Sequence, residues 1–370
     1  MELGTFMQPV HRPDRNYAEV LQEDREMIIL ADQLGFSECW IGEHMTATVE
    51  PIPAPLAFCA SLIDQTKTIK FGTGVICMPQ TNPVTVASQV AMFDNMAKGR
   101  FLMGIGPGSL SSDLELYNVG DPAERAKMVQ ESIDIVLRLW SEKPPFDIKG
   151  KYWNLKLSDV SRYDRFGVGR IAKPYQLPHP PLAISIVTPN SPTAKVAGKR
   201  GWLPISGNFI QPRYVKTHLP IYLEGCAEGG RPADPSRWRV ARSIMVMDSD
   251  AEAEDYVAKP DGVFSFYFEY LMSAFAPRKA LFLLKPDESV PDEKTTPIDV
   301  AKSMVTAGTP DTVLDKLIAF RDEVGPFGTL LYVAHDWDDA ALWKKSMRLL
   351  AEKVMPRFRQ HCDATAAAAD

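Results

Sequence analysis

Apolar residues along the chain fall into short runs that alternate with stretches of helical spacing. The run at 3–7 is closed by a polar loop containing Pro9 and Pro13. Residues 17–34 then place Val20, Leu21, Met27, Ile28, Leu30, Ala31 and Leu34 at helical intervals before a stop at Gly35. Glu38-Cys39-Trp40-Ile41-Gly42-Glu43-His44 is too short for a helix and rich in bulky residues, so it reads as a buried strand delivering Glu43 and His44 to its C-terminal end. Strand, helix and strand make a βαβ unit with parallel strands and a right-handed crossover. The alternation continues with strands at 69–78, 101–105, 182–187, 203–206, 239–247 and 329–334. Helices are expected at 56–64, 83–97, 123–140, up to Lys199, at 213–228, from Thr309 onward and at 340–359.

Two stretches break this rhythm. Residues 141–181 show no sustained period beyond a small hairpin near 152–157. Residues 248–306 begin helically, carry an aromatic cluster at 264–270 and turn proline-rich between Pro277 and Pro297. The latter is longer than a compact domain carries without purpose, and an active-site lid is expected there. Eight strand–helix units with insertions after the fourth and seventh predict an α/β fold, a (β/α)8 TIM barrel, as one domain over 1–362 with a disordered tail at 363–370. Functional side chains then collect where the strands end.

Composition narrows the partners. The chain has 370 residues, 45% hydrophobic and 24% charged, with net charge −6, which fits a soluble globular protein and gives no basic surface for nucleic acid or anionic membrane. No run of eighteen apolar residues and no basic-then-apolar leader occurs. Five scattered cysteines without a C-x-x-C pair suit reduced thiols, so a cytoplasmic protein is expected. The six histidines form neither H-x-H nor H-E-x-x-H, and no catalytic metal is expected. Asn190-Ser191-Pro192-Thr193, between the fifth strand and its helix, offers N–H groups and hydroxyls to a dianion, or serves as a plain helix cap. Arg125 is either its counter-charge or a surface residue. Gly308-Thr309-Pro310 reads as an ordinary helix start.

Several motifs in order carry a resemblance: Trp40 to His44, Phe71-Gly72-Thr73-Gly74-Val75 through Pro79, residues 93–101, Gly104 to Gly108, Arg125, the Asn190/Ser191 turn, residues 197–201 and Gly308-Thr309-Pro310. Together they resemble the bacterial luciferase-like flavin monooxygenases, and within them the limonene and diketocamphane monooxygenase branch. The resemblance implies FMN, bound as FMNH2 across the barrel mouth, against a non-proline cis peptide at Gly74-Val75 and beside Gly106. It places the phosphate on Arg125, Asn190, Ser191 and Thr193, with Pro107 standing where some members have an arginine. Dioxygen would form a C4a-hydroperoxide, and an apolar mouth of Met7, Met45 and Met78, with Phe6 and Trp40, would protect it, although each fits barrel core as well. Substrate contacts would include His335 and Trp337.

His44 is the expected proton-handling residue, with a purely structural hydrogen-bonding role as the alternative. Glu43 is expected to anchor a neighbouring strand or loop. Gly104-x-Gly106-x-Gly108 lacks dinucleotide spacing, so electrons would come from a separate NAD(P)H-flavin reductase. The substrate expected is small, apolar and terpenoid-like. An F420-dependent dehydrogenase and a catalytically silent flavin-binding protein are the competing functions. Small residues at 84–96 (Ala87, Ser88, Ala91, beside Met92) suggest a homodimer.

Overall fold

The computed structural model describes residues 1–367. Its barrel strands are β1 (Glu2–Met7), β2 (Glu38–Ile41), β3 (Lys70–Thr73), β4 (Phe101–Gly106), β5 (Leu182–Ile186), β6 (Leu203–Ser206), β7 (Arg239–Val246) and β8 (Thr329–Val333). Each pairs in parallel with its sequence neighbour, and β8 returns to pair with β1, which closes a (β/α)8 barrel.

The barrel is filled from inside by one large ring. Trp40 is fully buried and packs with Leu102, Ala183, Leu203, Ile205, Ala241, Leu331 and Val333. Gly72 makes room for it, because a Cβ there would lie 2.4 Å from Trp40 Cε3. Below the ring, Trp40 Nε1 donates to Glu38 Oε1 at 2.8 Å, and Arg239 meets both Glu38 oxygens at 3.1 Å. A bidentate pair thus ties β2 to β7 across the barrel floor.

Asn16, Asn82 and Asp121 cap the helices Tyr17–Gln33, Pro83–Met96 and Pro122–Ser141 with side-chain acceptors. The third strand is shorter than its apolar run: it stops at Thr73 and resumes as the two-residue strand Ile76–Cys77, paired with Ile105 and Gly106. The second stops at Ile41, so Glu43 and His44 lie in the loop beyond it.

Residues 141–181 contain an antiparallel hairpin, Phe146–Lys149 with Asn154–Leu157. Residues 248–306 are largely helical, with Asp250–Val257, Val263–Phe275 and Pro297–Met304. The proline-rich part is pinned, since Arg213 donates to the carbonyls of Lys285 and Pro286 and Gln211 to that of Leu284. Val305–Gly308, a strand that apolar periodicity did not reveal, pairs with Ser243 to Val246 while the first half of β7 pairs with β8.

The tail expected to be disordered is helical as far as it is described: Met355–Ala367 continues through 363–367, and residues 368–370 lie outside the described part. Alanines favour helix. Cys362 is buried, and Thr365 Oγ1 donates back to its carbonyl at 2.9 Å.

The helices Pro192–Arg200 and His218–Glu228 touch through glycines. A Cβ on Gly198 would lie 2.1 Å from the Tyr222 carbonyl oxygen, and one on Gly225 would lie 2.2 Å from that of Lys195. Gly225→Ala is expected to cost about 1–3 kcal/mol in urea unfolding, whereas Gly120→Ala, with nothing within 4 Å of its added carbon, leaves stability unchanged. Equal unfolding midpoints for the two variants would refute this packing.

Candidate active site

A cavity of about 620 Å³ opens at the C-terminal end of the strands. Its lining is largely apolar: Phe6, Val75, Ile184, Trp202 and Ile205 come from the barrel, Val129 and Val196 from flanking helices, and Leu271 and Phe275 from Val263–Phe275. Polar groups gather at two places in this wall.

The first is built on the loop after β2. The Gly74–Val75 peptide is cis, and Val75 enters the cavity wall. Gly106 gives it space, since a Cβ there would sit 2.7 Å from Val75 Cγ2. Just beyond, Glu43 Oε2 accepts the Cys77 N–H at 3.0 Å and fixes the resumed strand. Burial pushes the Glu43 carboxyl up to about 7, against the opposing pull of that N–H and of His44.

His44 is held between two carboxylates. Its Nε2 lies 3.1 Å from Glu50 Oε2, and its Nδ1 3.4 Å from Asp113 Oδ2. Glu50 is 6% exposed and Asp113 2%. Burial alone would lower the imidazole, but Glu50 and then Asp113 outweigh it and raise it above its ordinary value. Glu50 is correspondingly held low despite its burial, by His44 and by donation from Tyr270 and Gln8. Asp113 also accepts the backbone N–H of Met45 at 3.1 Å, that of Thr46 at 2.8 Å, and the Thr46 hydroxyl at 2.5 Å. Both ring nitrogens of His44 therefore face acids in the cavity wall.

The second polar place is the start of Pro192–Arg200. Ser191 caps this helix, its Oγ accepting the Thr193 N–H, and both side chains line the cavity. Gln130 lines it from Pro122–Ser141, and Arg278 from the segment after β7. Arg125 precedes Ala126, a lining residue, but turns its own Nη1 to the carbonyls of Val119 and Gly120. Asn190 is exposed at φ 51°, and its N–H donates to Thr217 Oγ1, so it stands outside the wall.

The expected substrate contacts need correction. Met7 and Met78 are buried in the shell between barrel and helices, because their side chains leave the strand ends on the outer face while Phe6 and Val75 take the inner one. Met45 sits outside the lining, its backbone tied to Asp113. His335 is fully buried, donor or acceptor to Ser243 Oγ at 2.9 Å and packed against Phe264, Tyr267 and Trp343. Burial drops it to about 3, so it is a neutral support for the helix that carries Tyr270. Trp337 is buried beside Lys344, again away from the cavity.

A further cluster joins His11, Glu23 and Asp336 within 4.8 Å. Its cations are the protein's own: Arg15 pairs with both Glu23 and Asp336, and His11, raised to about 9 by Asp24 and Asp336 against its burial, lies 2.7 Å from Asp336. This network ties the loop after β1 to the exit of β8.

Comparison with known proteins gives a consistent picture. A family model described as luciferase-like monooxygenase matches residues 1–325. The 4-hydroxyprotoasukamycin monooxygenase of Streptomyces nodosus subsp. asukaensis is 30% identical, over 99% of this chain and 95% of its own. Limonene 1,2-monooxygenase of Rhodococcus erythropolis is 27% identical, over 97% and 87%. The oxygenating constituent of 3,6-diketocamphane monooxygenase from Pseudomonas putida, a type II Baeyer–Villiger monooxygenase solved in complex with FMN, superposes with TM-score 0.86 at 28% identity, covering 96% of this chain and 98% of that one.

If Glu50 holds the proton on His44, Glu50→Gln lowers the imidazole value back toward its ordinary one. Because the folded value is raised, the pairing stabilises the fold below it and is lost as pH rises through it. Ring resonances of the apo protein followed by NMR against pH read this directly, and superimposable His44 titrations in the two proteins would disprove it.

Proposed function

The chain belongs to the luciferase-like monooxygenase family, and from that membership we propose that it is the oxygenating component of a two-component flavin system. It takes reduced FMN from a separate NAD(P)H-flavin reductase and, with dioxygen, oxygenates a small apolar, terpenoid-class substrate. Epoxidation, hydroxylation and Baeyer–Villiger oxidation are the reaction types within reach.

The observation that carries this reading is the division of the cavity into an apolar chamber and a hydroxyl-bearing helix start. At about 620 Å³ it lies in the range of cofactor and small-ligand sites. The residues present fit FMN. Val75, Ile184 and Trp202 offer apolar surface for a ring, while Ser191, Thr193 and the N–H groups of Pro192–Arg200 offer donors to a phosphate. Among the described residues the buried Nε of Arg125 has no hydrogen-bond partner. The FMN complex of the diketocamphane enzyme supports the same choice.

Reduced FMN, when bound, would supply the electrons that activate dioxygen. Phe6, Leu271 and Phe275 keep water from the chamber, and their apolar faces suit a hydrocarbon substrate. His44 holds a proton at the wall, with Glu50 and Asp113 fixing its ring. Product formation, oxygen uptake and peroxide release, measured with a reductase and a panel of terpenoid ketones and alkenes, test the proposal. The wild type couples oxygen uptake to product. His44→Ala retains flavin, loses about 10²–10⁴-fold in oxygenation and releases more peroxide. Flavin binding without substrate-dependent oxygen uptake would leave a silent flavoprotein, and unchanged coupling in His44→Ala would remove that residue from the chemistry.

Among the described residues no helix is long and apolar enough to cross a membrane. We place the reaction in the cytoplasm, where five buried free thiols are stable. A homodimer is proposed through the outer face of Pro83–Met96. Met92 and Met96 are exposed there beside Tyr175 and Leu177, on a segment joined to the helix by Asn95 and Asp94. Sedimentation as a monomer at micromolar concentration would contradict it.

A further inference from the structure

Among the described residues, two guanidinium groups without a carboxylate hydrogen bond lie near one side of the cavity, Arg278 in its wall and Arg125 just outside the lining. Arg125, only 9% exposed, spends its Nη1 on the carbonyls of Val119 and Gly120, and its Nε is buried with no hydrogen-bond partner among the described residues. Arg278 lines the cavity from the segment after β7 and rests one Nη2 on the Ser109 carbonyl and the Ser111 hydroxyl. Both sets of bonds go to neutral groups. Burial and then the charge of Arg278 hold the Arg125 guanidinium below its ordinary value, against the weaker pull of Asp121. Like charges placed together beside a cavity are relieved by an anion.

The remaining contacts fit a phosphate in particular. Ser109, Ser191 and Thr193 bring hydroxyl-bearing residues to the same cavity, and the last two stand at the start of the helix Pro192–Arg200, the end that favours an anion. Pro107, in the loop that Arg278 touches, adds neither charge nor N–H. An arginine can offer a phosphate two parallel donors, a stronger arrangement than its present contact with one carbonyl and one hydroxyl.

We propose that Arg278 is a phosphate latch: parked on Ser109 and Ser111, it turns onto the flavin phosphate, supplies the charge that the loop after β4 lacks, and so selects FMN over unphosphorylated flavin. The proposal rests on the reading of the cavity as a flavin site. It gives the segment 248–306 a chemical role beyond enclosure, because its one cationic side chain in the cavity wall discriminates the cofactor.

The test is anaerobic titration of the full-length protein with reduced FMN and with reduced riboflavin, for the wild type, Arg278→Gln and Arg278→Lys. Inorganic phosphate serves as competitor. Wild type prefers FMN. Arg278→Gln loses about tenfold or more in FMN affinity while its riboflavin affinity is unchanged, Arg278→Lys lies between, and phosphate competes less effectively against FMN in the Gln variant. Arg278 is exposed, so thermal melts of the three proteins should coincide. Equal losses for both flavins would make Arg278 a packing residue, and unchanged FMN affinity would remove it from binding. Either result overturns the latch while leaving the flavin site standing; failure of the wild type to bind either flavin overturns the reading beneath it.

Discussion

His44 is largely withdrawn from water, with the buried carboxylates of Glu50 at one end of its ring and Asp113 at the other, and neither acid could be buried alone. Removing one partner from such a group leaves an uncompensated charge, which costs about 3–5 kcal/mol when fully buried. Each member comes from a different place. His44 and Glu50 bracket the loop after β2, Asp113 belongs to the short helix Ser111–Leu116, and Tyr270, which donates to Glu50, belongs to Val263–Phe275. The charge requirement therefore fixes three connecting segments against one another, and those segments make up one wall of the cavity.

Beneath that wall the barrel is arranged to be rigid and chemically quiet. Trp40 fills the interior, Gly72 yields space to it, and Glu38 with Arg239 closes the floor. The strand ends then divide their side chains by parity: Phe6 and Val75 face the cavity, while Met7 and Met78 join the outer shell. His335 serves the same scaffold, neutral and packed under the helix that carries Tyr270 and Phe275. What the cavity offers to chemistry is thus a hydrophobic chamber, one imidazole fixed between carboxylates and a hydroxyl-bearing helix start.

Much of this could be read from residues in order. Eight apolar runs between helical stretches specify a parallel barrel, because each run is short and each spacer amphipathic. His44, Ser191 and Thr193 were singled out at strand ends and a helix start, Gly74, Val75 and Gly106 through the family resemblance, and the structure places all six in the cavity lining. Parity at the strand ends was not readable, since the third strand breaks at Gly74 and the methionines look equally apolar on either face. Glu50, Asp113 and Tyr270 were missed for a different reason. Asp113 and Tyr270 lie far in sequence from the residues they meet, Glu50 reaches His44 only because the loop between them folds back, and Asp113 in Ser-Ser-Asp resembles an ordinary helix start. Only folding gives such a carboxylate its histidine. Glu43 was expected to anchor a neighbouring strand or loop, and it accepts the Cys77 N–H, although it does so from the loop beyond Ile41 and not from an alternating strand.

The central claim is that the barrel mouth receives a reduced FMN and presents it to dioxygen. Its most direct test is an anaerobic competition between reduced FMN and reduced F420 for the purified apo protein, followed by rapid mixing with oxygenated buffer. The structure and family membership predict saturable binding of FMN in preference to F420, and oxidation kinetics of the bound flavin that differ from those of free flavin. Preference for F420, with oxygen leaving the bound cofactor unchanged, would contradict it and assign the barrel to hydride transfer.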